Sequence, residues 1–291
     1  MRSREAVWEE SARDYDRFEN KWHYYSRVAH GLVQPLGIRR DSRVLELASG
    51  TGACTMLLSR LCVEGQVVCV ERSSKMVRIA GQNLRRESSR NVSIVEGDVG
   101  ELYQLVGKMG KFDFVVCNSA FWQFPSPGRL VNSVRNLLEP EGVLAFNLPV
   151  WHGSDRDRRA YRNAVRSVLA SHGINPEVFA SRRRSIDYRR LLAARGFAVI
   201  RDAFYSVSMD AEEREDWRQI PAFARRWGPR KGVPSIVLAE IREEAKRRGY
   251  RPRPEIKALK NNWRLIIARS RSDRVLSTRK EPRAGVGSRV S

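Results

Sequence analysis

The sequence predicts an α/β protein built on a doubly wound, mainly parallel sheet, and three observations predict it. Short apolar runs alternate with segments whose apolar residues recur at three- and four-residue spacing, as strands alternate with covering helices. The first run ends in an acidic residue and a Gly-x-Gly turn, within VLELASGTGACT from Val44 to Thr55. Later runs end at Glu71, Asp98 and Asn118, which this topology brings to one edge of the sheet. Ligands of such sheets bind beyond that edge, at the carboxyl ends of the strands.

The elements follow in order. The first strand stops at Glu46–Leu47, and the turn through Ala48, Ser49, Gly50 and Gly52 brings bare backbone N–H groups up to a ligand. Glycine permits that approach and its positive φ, and a valine at Gly52 is expected to fall where the ligand belongs. The loop lacks the third glycine of a dinucleotide fingerprint, since Thr55 stands there, which argues against a nicotinamide cofactor. QVVCVERS is a second strand ending at Glu71, 25 residues after Glu46, where a carboxylate can accept both ribose hydroxyls of an adenosine. VSIVEGDVG is a third, followed by Gly97, Asp98 and Val99; FDFVVCNSAFWQF is a fourth, breaking at Asn118. EGVLAFNLP, from Glu141 to Pro149, is a fifth, entered through the Pro140–Gly142 turn. TMLLSRL, SKMVRIAGQNL and GRLVNSVRNLL supply the helical patterns between them.

Beyond the fifth strand, Asp155 to His172 and Ile186 to Arg195 read as helices, the second stopped by Gly196 as a left-handed cap. Phe197 to Met209 alternates like a long strand, and Trp263 to Ser270 is the last strand. The residues between, 210–262, read as largely helical, and an insertion that long is expected to act as a lid.

On these motifs the chain resembles the class I S-adenosylmethionine-dependent methyltransferases, over roughly Tyr15 to Ser206 plus the last strand. The resemblance implies a seven-stranded Rossmann-like sheet whose final strand is antiparallel, with S-adenosyl-L-methionine as methyl donor. It makes ELASGTG the methionine-and-ribose loop, Glu71 the ribose acid with Arg72 and Met76 beside it, and GDV the adenine contact through Asp98 and the Val99 backbone. Asn118–Ser119 becomes the loop near the sulfonium. The N-terminal segment containing Tyr15 and FENKWHYYSRVAHGLV is similar to the cap of the small-molecule branch. That branch includes quinone C-methyltransferases and the enzyme that methylates a carrier-protein thioester carboxylate. The expected organisation is a helical cap (1–40), a methyltransferase core (41–209), a helical lid (210–262), the last core strand (263–270) and a basic, disordered tail (271–291).

Methyl transfer from a sulfonium asks mainly for alignment in a dry site, and a base only where the acceptor must lose a proton. His152, directly after the fifth strand, and His23, in the cap, are the candidate bases. Tyr24, Phe121, Trp122 and Trp151 are candidate acceptor contacts, with core packing the competing role for the aromatics. The four cysteines lie inside apolar segments without Cys-x-x-C spacing, so neither zinc nor a disulfide frame is expected.

The net charge of +21 is uneven: +3 over residues 1–150 and +18 over residues 151–291. An acidic carrier protein or an anionic small acceptor would answer that charge. Nucleic acid is the alternative partner, without a recognisable binding module, and a non-catalytic donor-binding protein is another. A plain compositional preference for arginine accounts for the charge without any partner. No run approaches the roughly 20 apolar residues of a membrane span. The N-terminus lacks the apolar segment of a secretion signal, so a cytoplasmic protein is expected.

Overall fold

A computed structural model describes residues 4–150, 155–175, 186–223, 234–249 and 258–271. Its seven strands are β1 (Arg43–Leu47), β2 (Gln66–Glu71), β3 (Val92–Glu96), β4 (Phe112–Cys117), β5 (Leu138–Val150), β6 (Phe197–Asp210) and β7 (Ala258–Ser270). They form one sheet in the order 3-2-1-4-5-7-6, with β1 to β5 parallel and β7 antiparallel to both its neighbours. The order reverses at β1, which opens a crevice between the loops that follow β1 and β4.

Alternation along β1 explains the two covered faces. Leu45 and Leu47 face one way, into a core completed by α5 (Leu102–Val106), α6 (Pro127–Leu137) and α8 (Tyr188–Ala193). Val44 faces the other, against α2 (Tyr24–Val33) and α3 (Ala53–Leu61). With both faces buried, β1, β2 and β4 read as near-continuous apolar runs. Helix α4 (Ser74–Arg86) starts immediately after β2 because the Ser73 hydroxyl accepts from the Met76 amide at 3.2 Å, a side-chain N-cap.

Helix α1 (Arg4–Trp22) meets α2 at His23, a break held in the left-handed region at φ 50°. Helix α9 (Ala211–Gln219), from the late insertion, packs on α1 and joins α2 through its side chains. Lys21 bonds Glu212 and Asp216 at 2.9 Å each, Arg27 pairs with the buried Glu213, and the Ser11 hydroxyl accepts from the Ala222 amide at 2.9 Å. Phe18, Tyr24, Tyr25, Val28, Met209, Ile220 and Trp263 form a separate apolar core beneath these helices. Helix α10 (Ser235–Arg247), also from the insertion, packs instead on α7 (Asp155–Ser171) through Val165, Leu169, Val237 and Ile241, and His172 bonds Glu240 at 2.7 Å.

Several boundaries differ from the sequence reading, three of them at the starts of elements. Strand β5 starts at Leu138 and β7 at Ala258, earlier than the expected Glu141 and Trp263. Strand β7 gains its length by continuing to pair with β6, Asp210 opposite Ala258 and Ser206 opposite Asn262, through a polar Lys260-Asn261-Asn262 stretch that hides the strand pattern. Helix α8 begins at Tyr188 because the Asp187 carboxylate caps it, accepting from the Arg190 amide at 3.1 Å. The tail beyond Arg271 lies outside the described residues.

Candidate donor and acceptor cavity

A cavity of about 750 Å³ lies over the carboxyl ends of β1 to β4, roofed by α1, α2 and α9. Its floor is built from the loops expected to carry the site: Ala48 and Gly50, then Glu71, Arg72, Ser73 and Met76, then Gly97, Asp98 and Val99, then Asn118 and Ser119. Its upper wall is aromatic, with Trp8, Tyr15, Tyr25, Trp122, Trp217 and Phe223 among its residues.

The β1 loop alternates into the left-handed region at Ala48, Gly50 and Gly52, with φ 54°, 58° and 96°. The Gly50 amide donates to one oxygen of Glu71 at 3.0 Å, and the Ser73 amide donates to the other at 2.8 Å. Glu71 lines the cavity, and a carboxylate has two oxygens able to accept from a vicinal diol. Burial raises the Glu71 carboxyl above its ordinary range, opposed by those backbone N–H groups. A Cβ on Gly50 would meet nothing nearer than the Met76 sulfur at 3.9 Å, so this loop leaves room above it. Asp98 accepts from the Gly100 amide at 2.7 Å and from Arg72 at 3.0 Å, which fixes the third loop.

Several predicted residues stand elsewhere. Glu46 shares the Val44 face of β1, away from the cavity; its carboxylate accepts from the Thr55 hydroxyl at 2.6 Å beneath α3, and burial pushes its pKa up to about 7. Ser49 is buried under the turn and does not line the cavity. Gly52 is also behind the wall: a Cβ there would lie 3.6 Å from Ala80 of α4, so a valine would act through crowding and backbone strain, rather than by filling the ligand's place. Phe121 is fully buried and stacked on Phe146 at 3.9 Å, a core role, whereas Trp122 lines the cavity. His23 is exposed at the α1–α2 break and does not line the cavity, which removes it from reach of an acceptor there. Trp151 and His152 lie outside the described residues.

Sequence reasoning missed Asn147. Fully buried in β5, it accepts from the Ser119 amide at 2.6 Å and donates to Asn118 at 2.8 Å and to the Tyr205 hydroxyl at 2.7 Å. Asn118 in turn donates to the Tyr25 carbonyl at 3.2 Å, and Tyr205 to the Val28 carbonyl at 2.8 Å. One amide therefore ties the β4 loop, held at φ 61° at Ser119, to the roof helix α2. A polar residue inside an apolar strand, in LAFNLP, was the available signal. The roof's aromatics lock together likewise: Tyr15 stacks on Tyr25 at 4.9 Å, Trp217 on Phe223 at 4.2 Å, and Trp217 donates to the Tyr25 hydroxyl at 3.0 Å.

Comparison with known proteins agrees with this geometry. Residues 38–177 match a methyltransferase-domain family. A malonyl-[acyl-carrier protein] O-methyltransferase of Geobacter sulfurreducens is 29% identical over 215 residues, 74% of this chain and 74% of that protein. One from Halalkalibacterium halodurans is 28% identical over 43% of this chain and 48% of its own length. The ubiquinone/menaquinone C-methyltransferase of Wigglesworthia glossinidia is 30% identical over 38% and 45%. The chain thus spans about half the length of the last two relatives. Among solved structures, a methyltransferase from Bacillus halodurans covers 84% of this chain and 99% of its own, at a TM-score of 0.57 and 17% identity, a likeness of fold. By these matches the chain is similar to the class I S-adenosylmethionine-dependent methyltransferases, with the methyltransferase-domain match spanning residues 38–177. Its relatives are named as O- and C-methyltransferases, of a class that uses S-adenosylmethionine as methyl donor.

Proposed function

We propose that this chain transfers a methyl group from S-adenosylmethionine to an O or C atom of a small acceptor held under the roof of α1, α2 and α9. The observation that carries the reading is Glu71, fixed by two backbone N–H groups beside the left-handed β1 loop and lining the cavity. Glu71 would take the ribose hydroxyls, Asp98 and the Val99 backbone the adenine, Met76 the base face, and Asn118–Ser119 the sulfonium end. The donor supplies an activated methyl whose bond to sulfur breaks, its electron pair staying on sulfur, as the acceptor lone pair bonds to carbon.

The protein's part is to orient and to exclude water. The aromatic wall of Tyr15, Tyr25, Trp122 and Trp217 gives a low-dielectric surround and faces that favour a cation. Burial pushes Tyr24 up to about 12 and raises Tyr15 and Tyr25 well above their ordinary value, so these hydroxyls stay protonated. Among the described residues no histidine lines the cavity. An acceptor that needs no deprotonation, such as a carboxylate, suits that wall, and His152 remains the candidate base for any other. The acceptor would be free or carried on an acidic carrier protein, as the names of the malonyl-carrier relatives suggest. No observation favours the nucleic-acid reading.

Calorimetric titration with S-adenosylhomocysteine tests the proposal, with NADH as control. Micromolar binding of the first alone is expected. Glu71→Ala should weaken it by about 1–3 kcal/mol, the scale of a lost charge-assisted hydrogen-bond partner. Equal affinity in the variant would overturn the site. His152→Ala is expected to leave donor affinity intact while lowering turnover of any acceptor that must lose a proton.

A further inference from the structure

The late insertion contributes more than a roof. Four residues of one α9 face, Arg214, Glu215, Trp217 and Arg218, line the cavity, and so does Arg242 of α10. Helix α9 is anchored on the cap by its other face, through Glu212, Glu213 and Asp216. The two helices are docked independently, α9 on α1 and α10 on α7, yet both turn arginine toward the same cavity.

Charge bookkeeping separates these arginines from the donor end. Arg72 is already paired with Asp98 on the floor. Arg218 is paired with Glu215, the acidic group that the insertion contributes to the wall, at 3.4 Å. Arg214, half-buried, and Arg242, exposed, have no ion-pair partner among the described residues. Two unneutralised guanidinium groups therefore face a cavity lined by aromatic rings together with Gln123, Asn261 and Asn262. Guanidinium is a planar five-donor fork suited to carboxylate and phosphate oxygens, and its attraction strengthens where aromatic walls exclude water.

We propose that Arg214 and Arg242 form an anion subsite at the acceptor end, so that the acceptor is an apolar or aromatic molecule bearing an anionic oxygen group. This deepens the methyl-transfer reading and rests on it. The anionic group has two sources, a carboxylate on the acceptor itself or a phosphate in a tether that delivers it.

The test uses the full chain saturated with S-adenosylhomocysteine and paired probes of equal shape: straight-chain C6–C12 carboxylates, phenylacetate and indole-3-acetate against their primary amides, and phenyl phosphate against phenol. At least one charged member is expected to bind about tenfold more tightly than its neutral partner, the scale of a charge-assisted contact. Arg214→Gln and Arg242→Gln should each erase most of that difference, with affinity for the neutral partner and for S-adenosylhomocysteine unchanged. Preference for the acids assigns the subsite to the acceptor's carboxylate, and preference for phenyl phosphate assigns it to a tether.

No charged-over-neutral preference in any pair, or one that survives both substitutions, overturns the subsite. Loss of S-adenosylhomocysteine affinity in either variant would instead put that arginine on the donor's carboxylate and overturn it too. Failure of the unmutated chain to bind S-adenosylhomocysteine is a separate result, which removes the methyl-transfer reading itself.

Discussion

At the scale of single residues, position along the strand decides what the acids of two neighbouring strands, β1 and β2, do. Glu71 ends its strand and reaches the cavity, while Glu46 points into the layer beneath α3, where it meets Thr55 and Cys54. Sequence reasoning found both because it reads strand ends, and it misjudged Glu46 because a strand's last residues split between two faces. The same limit caught Phe121 and Trp122, adjacent aromatics of which one stacks in the core and one lines the cavity. Glu46 carries a pH prediction. Its carboxyl rises from an ordinary 4.5 to about 7 on folding, so between those values the native state holds a proton that the unfolded chain has lost. Stability attributable to this group is thus greatest below about 4.5 and declines as pH rises to about 7, by roughly 3 kcal/mol in all. Glu46→Gln keeps an acceptor for Thr55 and removes the titration. Urea midpoints at pH 5 and pH 8 should therefore differ less in the variant, which should be the more stable protein at pH 8. An unchanged pH dependence would show that Glu46 ionises freely. Phe121→Ala should cost about 3–5 kcal/mol in the same assay, the usual cost of emptying a buried aromatic site. Trp122→Ala should cost much less and act on acceptor affinity.

At the scale of elements, the strands and the helices that cover them were legible because hydrophobic period carries that information. The joints between them were not. Nothing in the spacing of Asn147 or Tyr205 announces that they bond each other and then α2, since that contact joins β5, β6 and α2 across 177 residues of chain. The Tyr205 ring also fills the space beside Gly31, where a Cβ would come within 2.2 Å of it. Tyr205→Phe keeps the ring and deletes one hydroxyl, leaving one Asn147 N–H without its acceptor and the Val28 carbonyl of α2 without its second donor. The expected loss is about 1–3 kcal/mol, the cost of buried polar groups left without partners. Hydrogen exchange should quicken along α2 and at Ser119 while the β1–β2 amides hold their protection. Uniform quickening across the sheet would mean that the tyrosine supports the core as a whole, rather than the joint between roof and floor.

At the scale of the whole molecule, the cavity lies between two bodies of chain with separate cores. The floor belongs to the sheet, whereas α1, α2 and α9 have their own apolar cluster around Phe18, Tyr24, Tyr25 and Trp263. A ligand that touches both should stabilise them together, because binding to the folded state alone adds RT ln(1 + [L]/Kd) to its stability. At S-adenosylhomocysteine concentrations a hundred times Kd this amounts to about 2.7 kcal/mol. For a chain of this size that corresponds to a rise in Tm of roughly 5–10 °C, scaling from about 2–4 °C per kcal/mol. The distribution of protection carries more than the total. Amides of the turn at 48–52, the Glu71–Ser73 corner and the Asp98 loop should exchange more slowly on binding, and so should those of α1 around Tyr15, because Tyr15 lines the same cavity and stacks on Tyr25 of α2. The far edge of β6, where Ile200 and Phe204 face solvent, should not respond. Protection confined to the floor loops would mean that the donor binds the sheet without engaging the roof. The roof would then close only over the acceptor, and the effect of Arg214→Gln should appear in acceptor KM alone.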